Sequence, residues 1–261
     1  MQSFKGEVTT HYLAESAKLF SSIKEASYEK MCIASGHKVL DLGCGSGIDV
    51  ITLADRVGPG GQVVGLDHDK DMLKQASQNC LDANLMSDYL FVQGSADQLP
   101  FKSDLFASCR SERLFMHLSQ PDQTLSELLR VTEPSGHIVI VDTDWASLSI
   151  DNTLPGTERT LSNYRISHVL KNGYSGRSLY RQFKALDISN IKIEVIPIYL
   201  TDVDLFYFIS LQNAIEQQAL ADSVISEKEL SYWRNEMELA AHNGSFYCSV
   251  NIVIVSGQKP N

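Results

Sequence analysis

A glycine-rich turn directly after a short apolar segment limits the possible folds of this chain more than any other feature. The run Val39–Gly47 reads VLDLGCGSG, an apolar strand that ends in an acid and continues into three glycines at a spacing of two and two. Glycines let backbone N–H groups come close to a ligand, because a Cβ there would clash. Dinucleotide-binding loops space their glycines two and then three residues apart. The tighter loop with Asp41 ahead of it favours a ligand with a charged amine and no phosphate. An ordinary strand-to-helix turn is the alternative, but it rarely needs three glycines.

Short apolar strands alternate with amphipathic helices from Lys38 to Val141, which is typical of a parallel sheet built from βαβ units. The predicted strands are Lys38–Leu42, Gln62–Leu66, Tyr89–Gln93, Leu105–Cys109 and His137–Val141. Helical periodicity predicts a helix after the glycine loop, another from about Asp69, and a third that begins near Pro121.

The second half of the chain is less regular. It is predicted to contain helices at Gly156–Leu170, Leu179–Leu186 and Asp204–Leu220, a capping box at Ser226 and Glu229 that opens a further helix, and strands at Ile191–Ile198 and Phe246–Val255. We see no Ser/Gly-rich linker and no repeat, so residues 1–261 are interpreted as a single domain with helical insertions.

Composition excludes several classes of function. The net charge of −10 argues against a nucleic-acid groove or an anionic membrane surface. The five cysteines are scattered, which favours buried thiols in a reducing compartment. We find no signal peptide, no segment that could span a bilayer and no metal-ligand spacing, so we expect a cytoplasmic protein without a bound metal.

Two further acids follow predicted strands. Asp67 ends the second strand, where an acid of this type of fold can accept both hydroxyls of a ribose, and its alternative role is a helix N-cap. Asp97 lies in the loop after the third strand and could accept a hydrogen bond from an exocyclic amine of adenine. Its alternative role is that of a solvated turn carboxylate.

These motifs together resemble the class I S-adenosylmethionine (SAM)-dependent methyltransferases of the ubiquinone/menaquinone-type branch. The resemblance rests on Asp41-Leu42-Gly43-x-Gly45-x-Gly47, on Asp67, and on Ala96-Asp97-x-Leu99-Pro100-Phe101. It is strong over residues 38–145. It implies a Rossmann-like α/β fold with a seven-stranded, mostly parallel sheet in the order 3-2-1-4-5-7-6, whose last strand is antiparallel, with helices on both faces.

The resemblance also implies a SAM site, with S-adenosylhomocysteine as the product. The backbone of Gly43–Gly47 would hold the methionine end, Asp67 the ribose and Asp97 the adenine N6. The residues expected to bind the cofactor are Asp41, Gly43, Cys44, Gly45, Gly47, Asp67, His68, Ala96, Asp97 and Arg110. Helical insertions at about 156–186 and 202–243 would shape the substrate pocket.

Residues after the fourth and fifth strands are candidates for the acceptor side, because ligands lie beyond the carboxyl ends of parallel strands. Arg110 could pair with the carboxylate of SAM or form a structural ion pair. His117 could be a general base or structural. Asp142 or Asp144 could orient the substrate or take its proton, and Trp145 could wall the pocket or cap the core.

A segment near the N-terminus completes the predicted site. Tyr12, with His11, could form a lid over the cofactor and border the substrate, or simply pack on the surface. We therefore expect an enzyme, monomeric or homodimeric, that transfers a methyl group to an O, N or C atom of a small organic molecule. The alternatives are a non-catalytic SAM-binding module and a nicotinamide-dependent oxidoreductase, which would need a different glycine spacing.

Overall fold

One sheet organises the protein. The structure is a computed structural model that describes residues 19–83, 85 and 87–261. Seven strands follow the spatial order β3-β2-β1-β4-β5-β7-β6. Neighbours are parallel from β3 to β5, whereas β7 runs antiparallel to both β5 and β6. The predicted fold class, strand order and antiparallel last strand are thereby confirmed.

The bounds of the elements are as follows. The strands are β1 (Lys38–Leu42), β2 (Gln62–Asp67), β3 (Asp88–Gln93), β4 (Phe106–Glu112), β5 (Thr132–Ile150), β6 (Ser189–Leu200) and β7 (Cys248–Gln258). The helices are α1 (Ser21–Lys30), α2 (Ile48–Val57), α3 (Lys70–Ala83), α4 (Pro121–Val131), α5 (Pro155–Tyr164), α6 (Ser175–Ala185), α7 (Val203–Ser210), α8 (Gln212–Ala221) and α9 (Glu227–Asn243). A 3₁₀ turn covers Phe115–His117, and a π-helical turn, Arg165–Val169, continues α5.

Helices cover both faces of the sheet because the strand residues alternate between two apolar cores. Val39 faces the core that also contains side chains of α1, α2 and α3. Leu40, one residue on, faces the core formed with α4 and α6. A third core lies among α5, α7, α8 and α9 around Trp233, which is fully buried. These helices are the insertions beyond the sheet.

β4 and β5 continue past their predicted ends into charged residues. β4 continues to Glu112 and β5 runs from Thr132 to Ile150. Polar residues at these ends break the apolar pattern, but their charges are compensated by neighbouring elements and the strands persist. Arg110 therefore lies inside β4 rather than after it.

The predicted helix Asp204–Leu220 is wrong as one continuous element. Leu211 adopts a left-handed conformation, with φ of +52°, and separates α7 from α8. Leucine rarely adopts this conformation and does not mark the end of a helix, so no sequence motif predicts the break.

β6 is an edge strand with an apolar outer face. Ile193, Val195 and Tyr199 are 48%, 55% and 66% exposed. Within the described part of the chain, β6 pairs with β7 alone. Pro197 lies in the middle of this strand and has no backbone N–H to donate.

The predicted capping box at the start of α9 is present, and it is directly testable. Ser226 Oγ accepts a hydrogen bond from the Glu229 N–H at 3.2 Å, and the Glu229 carboxylate accepts one from the Ser226 N–H at 2.9 Å. Replacing Ser226 by Ala should lower the free energy of unfolding by about 1 kcal/mol, since the cap oxygen is lost. Urea denaturation measures this loss, and Ser245→Ala, an exposed serine beyond α9, should leave stability unchanged.

Candidate active site

The glycine loop joins β1 to α2 at the carboxyl edge of the sheet. Gly43, Gly45 and Gly47 have φ of +77°, +51° and +76°, a region that side chains rarely adopt. A Cβ at Gly43 would lie 3.1 Å from the Leu114 side chain, and one at Gly47 would lie 2.9 Å from Cβ of Ala76. The loop thus needs glycine both for its backbone conformation and for its close packing.

Asp67, at the end of β2, anchors this loop. Its carboxylate accepts hydrogen bonds from the N–H of Gly45 and the N–H of Asp69, both at 2.9 Å. His68 Nδ1 lies 3.2 Å from the same carboxylate and its side chain is largely exposed. A carboxylate offers about four acceptor sites, so Asp67 keeps capacity for further donors. Its position is compatible with the predicted contact to a ribose, and it also explains why the loop is ordered.

The loop that contains Ala96 and Asp97 follows β3, the strand next to β2. Thr124 Oγ1 donates to Asp97 Oδ1 at 3.0 Å, and the N–H of Leu99 donates to Glu127 at 2.8 Å. Both partners belong to α4, so this helix fixes the loop beside the ends of β1 and β2. The structure therefore brings the three predicted acidic positions to one edge.

A buried cluster of charges lies below the glycine loop. Lys24 of α1 contacts Asp49 at 2.8 Å and Glu112 at 2.9 Å. The Arg110 guanidinium pairs with Glu112, lies 3.3 Å from Asp49 and 3.5 Å from Asp41, and is completely buried. This geometry favours the structural ion pair for Arg110 over a bond to the cofactor's carboxylate, two roles that the sequence left open.

Asp41 contributes a buried oxygen to this cluster that no described residue satisfies. Arg113 Nε also lies 3.7 Å from Glu112, so three acids face three bases, but Asp41 Oδ2 and Arg110 Nη1 have no hydrogen-bond partner among the described residues. Burial, followed by the charge of Asp49, raises the pKa of Asp41 to about 7. One additional cationic donor would satisfy the Asp41 oxygen and favour its charged form. The site therefore fits a ligand with an ammonium group next to the glycine loop.

An apolar cavity opens beside the ends of β4 and β5. Its polar lining residues are Arg113, Thr143 and Ser210, and Arg113 has a φ of +51°. The remaining lining residues are aromatic, aliphatic or sulfur-containing: Leu19, Phe20, Met116, Trp145, Leu148, Ile198, Leu200, Phe206, Ile209, Cys248, Val250 and Ile252. Such a lining suits an apolar molecule.

The acceptor-side candidates are only partly brought together. Trp145 lines the cavity, whereas neither His117 nor Arg110 contributes to its lining. Asp144 accepts from Arg177 Nε at 2.9 Å and lies on a groove of the opposite sheet face, because side chains alternate along β5. The structure therefore separates Asp144 from the cavity. Tyr12 and His11 lie outside the described residues.

His117 and Asp142 have shifted pKa values. Desolvation, followed by the charges of Arg113 and Lys171, lowers the pKa of His117, so its imidazole is neutral at neutral pH and only a weak base. Burial raises the pKa of Asp142 to about 7. Asp142 Oδ2 accepts from the N–H of Met116 at 2.8 Å and so fixes the turn after β4.

Several cavity residues escaped the sequence analysis. Those on β6, α7 and β7 are distant in sequence from the glycine loop, and no motif marks them. Arg113 is contained in the segment considered after β4, yet nothing in that segment distinguishes it from Arg110.

Among the described residues, no group of three or more His, Cys, Asp or Glu side chains is arranged to hold a metal ion, and no helix is long and apolar enough to cross a membrane.

Replacing Asp67 by Ala should have two separate effects. Loss of the carboxylate leaves two backbone N–H groups without their acceptor, which should cost about 1–2 kcal/mol of stability without ligand. Loss of the contact to the ribose should also weaken S-adenosylhomocysteine binding by about 1.5–3 kcal/mol. Thermal denaturation and calorimetric titration measure the two effects, with Asp82→Ala on the exposed face of α3 as control. Lower stability with unchanged affinity would leave Asp67 as a loop anchor only.

The contribution of Asp41 and Asp142 to stability should fall as the pH is raised from about 5 to about 8. Both carboxyls have pKa values of about 7 in the folded protein, above those of an unfolded chain. At these two groups the folded state binds more protons, so their stabilisation is present below the unfolded pKa and is lost as the pH rises through the folded pKa. His117, whose pKa is lowered on folding, acts in the opposite direction, so two chains are compared. In urea titrations at both pH values, the original chain should lose stability relative to Asp41→Asn. An equal change in the two chains would show that Asp41 does not titrate in this range.

A family model described as a methyltransferase domain matches residues 33–195 of the chain. This region contains the glycine loop, the acids after β2 and β3, and most of the sheet. The fold is also similar to that of a solved putative methyltransferase from Bacillus halodurans, with a TM-score of 0.65 and 16% identity, over 92% of this chain and 100% of that one.

Relatives by sequence include one protein named as a methyltransferase and one that is uncharacterised. A demethylmenaquinone methyltransferase from Lactobacillus johnsonii is 34% identical over 44% of this chain and 48% of its own length. An uncharacterised 37.1 kDa protein in transposon TN4556 of Streptomyces fradiae is 33% identical over 68% of this chain and 50% of its own length. The chain thus spans about half the length of these relatives. From the domain match and the site geometry together, the chain belongs to the class I SAM-dependent methyltransferase family.

Proposed function

We propose that this protein transfers the methyl group of SAM to an O, N or C atom of a small organic molecule by an in-line SN2 step. The cofactor supplies an electrophilic methyl carbon: the acceptor's lone pair or carbanion forms the new bond to it while the carbon–sulfur bond breaks and its electron pair stays on sulfur. The chain has to bind both molecules, align them and exclude water.

The observation that carries the proposal is the unpartnered Asp41 Oδ2 beside a loop that only glycines can form. An ammonium group is the donor that this oxygen lacks, and the methionine end of SAM has one. The Gly43–Gly47 backbone would lie along the same end of the cofactor, with Cys44 as part of that loop. Asp67, with His68, would contact the ribose, and Asp97, with Ala96, the adenine.

The acceptor would enter through the apolar cavity next to this site. Alignment of nucleophile and methyl group can supply much of the rate, so a dedicated base is optional. Where the acceptor must lose a proton, His117 is the candidate base at this edge, a weak one because its pKa is lowered and one that lies outside the cavity lining. The position of Asp144 on the opposite face makes it the weaker candidate.

Binding of S-adenosylhomocysteine tests the cofactor assignment. We expect a dissociation constant in the micromolar range, or roughly 7–8 kcal/mol of binding free energy, in an isothermal titration. NADH should not bind, because the glycine spacing does not fit a pyrophosphate. Binding of NADH without binding of S-adenosylhomocysteine would overturn the proposal.

Turnover requires a separate experiment because a non-catalytic cofactor-binding module would pass the first. Incubating the protein and a cell extract with SAM carrying a labelled methyl group, followed by mass spectrometry, should reveal a labelled small molecule. Gly47→Ala, whose Cβ would clash with Ala76, is the matched inactive control. Absence of any labelled product from extracts, despite cofactor binding, would favour the binding module.

A further inference from the structure

The guanidinium of Arg165 stacks on the indole of Trp145, which forms part of the cavity wall. The Arg165 Cζ lies 4.4 Å from the ring centroid of Trp145. On its edge, the indole Nε1–H donates to Met116 Sδ at 3.2 Å. The indole is therefore held on one face by a cation and on one edge by a thioether.

Arg165 is itself fixed by the break between two helices. Its Nη1 donates to the carbonyl of Ser210 at 2.5 Å and its Nη2 to Gln212 Oε1 at 2.7 Å, and the residue is only 4% exposed. Because Leu211 is left-handed, the last turn of α7 ends at Ser210, and Arg165 places a positive charge at that negative helix end. The fold thus dictates the orientation of the guanidinium.

A buried carboxylate extends this arrangement away from the cavity. Glu216 is fully buried and accepts from Gln212 at 3.3 Å, from Trp233 Nε1 at 2.8 Å and from Arg234 at 2.9 Å. Gln212 connects it to Arg165, so charges of alternating sign follow one another from the cavity wall to the surface. Such a satisfied network specifies one arrangement of its side chains.

Arg165 lies in a π-helical turn rather than in a regular α-helix. π-helical turns are uncommon and are found frequently at functional sites. A Cβ at Gly173 would lie 2.4 Å from the carbonyl oxygen of Ile166, so the following segment packs tightly on this turn. The turn is held in place on both sides.

We propose that Arg165 is a positioning residue that holds Trp145 as a rigid wall, against which an uncharged, flat apolar part of the acceptor packs. This inference rests on the proposed function, and it adds the chemical class of the acceptor. A charged group in the cavity would lose its hydration among the apolar side chains. The charged residue of the lining, Arg113, already lies 3.7 Å from Glu112 and over the ring of Phe20. Lysine could not replace Arg165, because it lacks the planar fork that stacks and donates to two acceptors at once.

The test uses an uncharged aromatic probe, N-phenyl-1-naphthylamine, whose fluorescence rises in apolar surroundings. It is titrated into the full chain saturated with S-adenosylhomocysteine. The original protein should bind the probe, and 1-decanol should displace it at much lower concentration than 1,10-decanediol. Equal displacement by the two alcohols would show that the cavity does not select apolar groups and would overturn the substrate class.

Two valines on opposite faces of the sheet provide a matched pair. Val250→Thr adds a hydroxyl inside the cavity and should weaken probe binding roughly tenfold. Val195→Thr makes the same change on the exposed face of β6 and should leave probe binding unchanged. Equal effects of the two changes would place the probe outside the cavity and overturn the inference.

A double-mutant cycle tests the role of Arg165. Arg165→Lys should weaken probe binding by roughly threefold or more in the original chain, because the indole is no longer held. The same change should have no effect in a Trp145→Phe background, since Arg165 acts through the indole. A purely structural role would give the same loss in both backgrounds, which would overturn the positioning role. Gln212→Met, which removes one anchor of the guanidinium, replaces Arg165→Lys in the cycle if the lysine variant does not fold.

The cofactor titration keeps the two hypotheses apart. Every variant is titrated with S-adenosylhomocysteine, and its affinity should stay within about twofold of the original in each. If the original protein fails to bind S-adenosylhomocysteine, the proposed function is wrong. If it binds the cofactor product but shows equal losses in the two backgrounds, the inference about Arg165 is wrong and the proposed function stands.

Discussion

The charged cluster of Lys24, Asp41, Asp49, Arg110 and Glu112 is the interaction on which the site depends. It joins α1, α2, β1 and β4 directly beneath the glycine loop, and its Arg110 is fully buried. Buried ions are stable only when partners replace their lost hydration. Within this cluster Asp41 Oδ2 is the acceptor without a hydrogen-bond partner among the described residues, and it is there that a cationic cofactor group would fit.

Asp67 combines a structural role with an expected role in binding. Its carboxylate holds the N–H of Gly45, so that the residue expected to bind the ribose also shapes the loop for the methionine end of the cofactor. On the acceptor side, Asp142 holds Met116, and Met116 in turn accepts from Trp145. The cofactor loop and the cavity wall are thus each supported by an aspartate of the sheet, Asp67 at the end of β2 and Asp142 within β5.

Sequence reasoning succeeded where a local pattern has one structural meaning. The bounds of β1, the three acidic positions, the strand order and the capping box at Ser226 all follow from short motifs or from the family resemblance. Sequence reasoning failed where contacts between residues far apart in the sequence determine the local structure. The polar end of β4 stays a strand because Lys24 and Asp49, far away in sequence, compensate Arg110 and Glu112. The break at Leu211 and the cavity wall from β6 and β7 have no local signal, because they arise from packing between remote segments.

The composition of β6 has a consequence for how the protein behaves at high concentration. An edge strand with an apolar outer face, such as that formed by Ile193, Val195 and Tyr199, is a ready template for the growth of a sheet from one molecule into the next. Pro197 interrupts the row of backbone donors in the middle of that strand, whereas Lys192 and Glu194 lie on the other face, where Glu194 pairs with Lys30. The apolar face therefore depends on Pro197 for protection against aggregation, and replacing Pro197 would remove that protection.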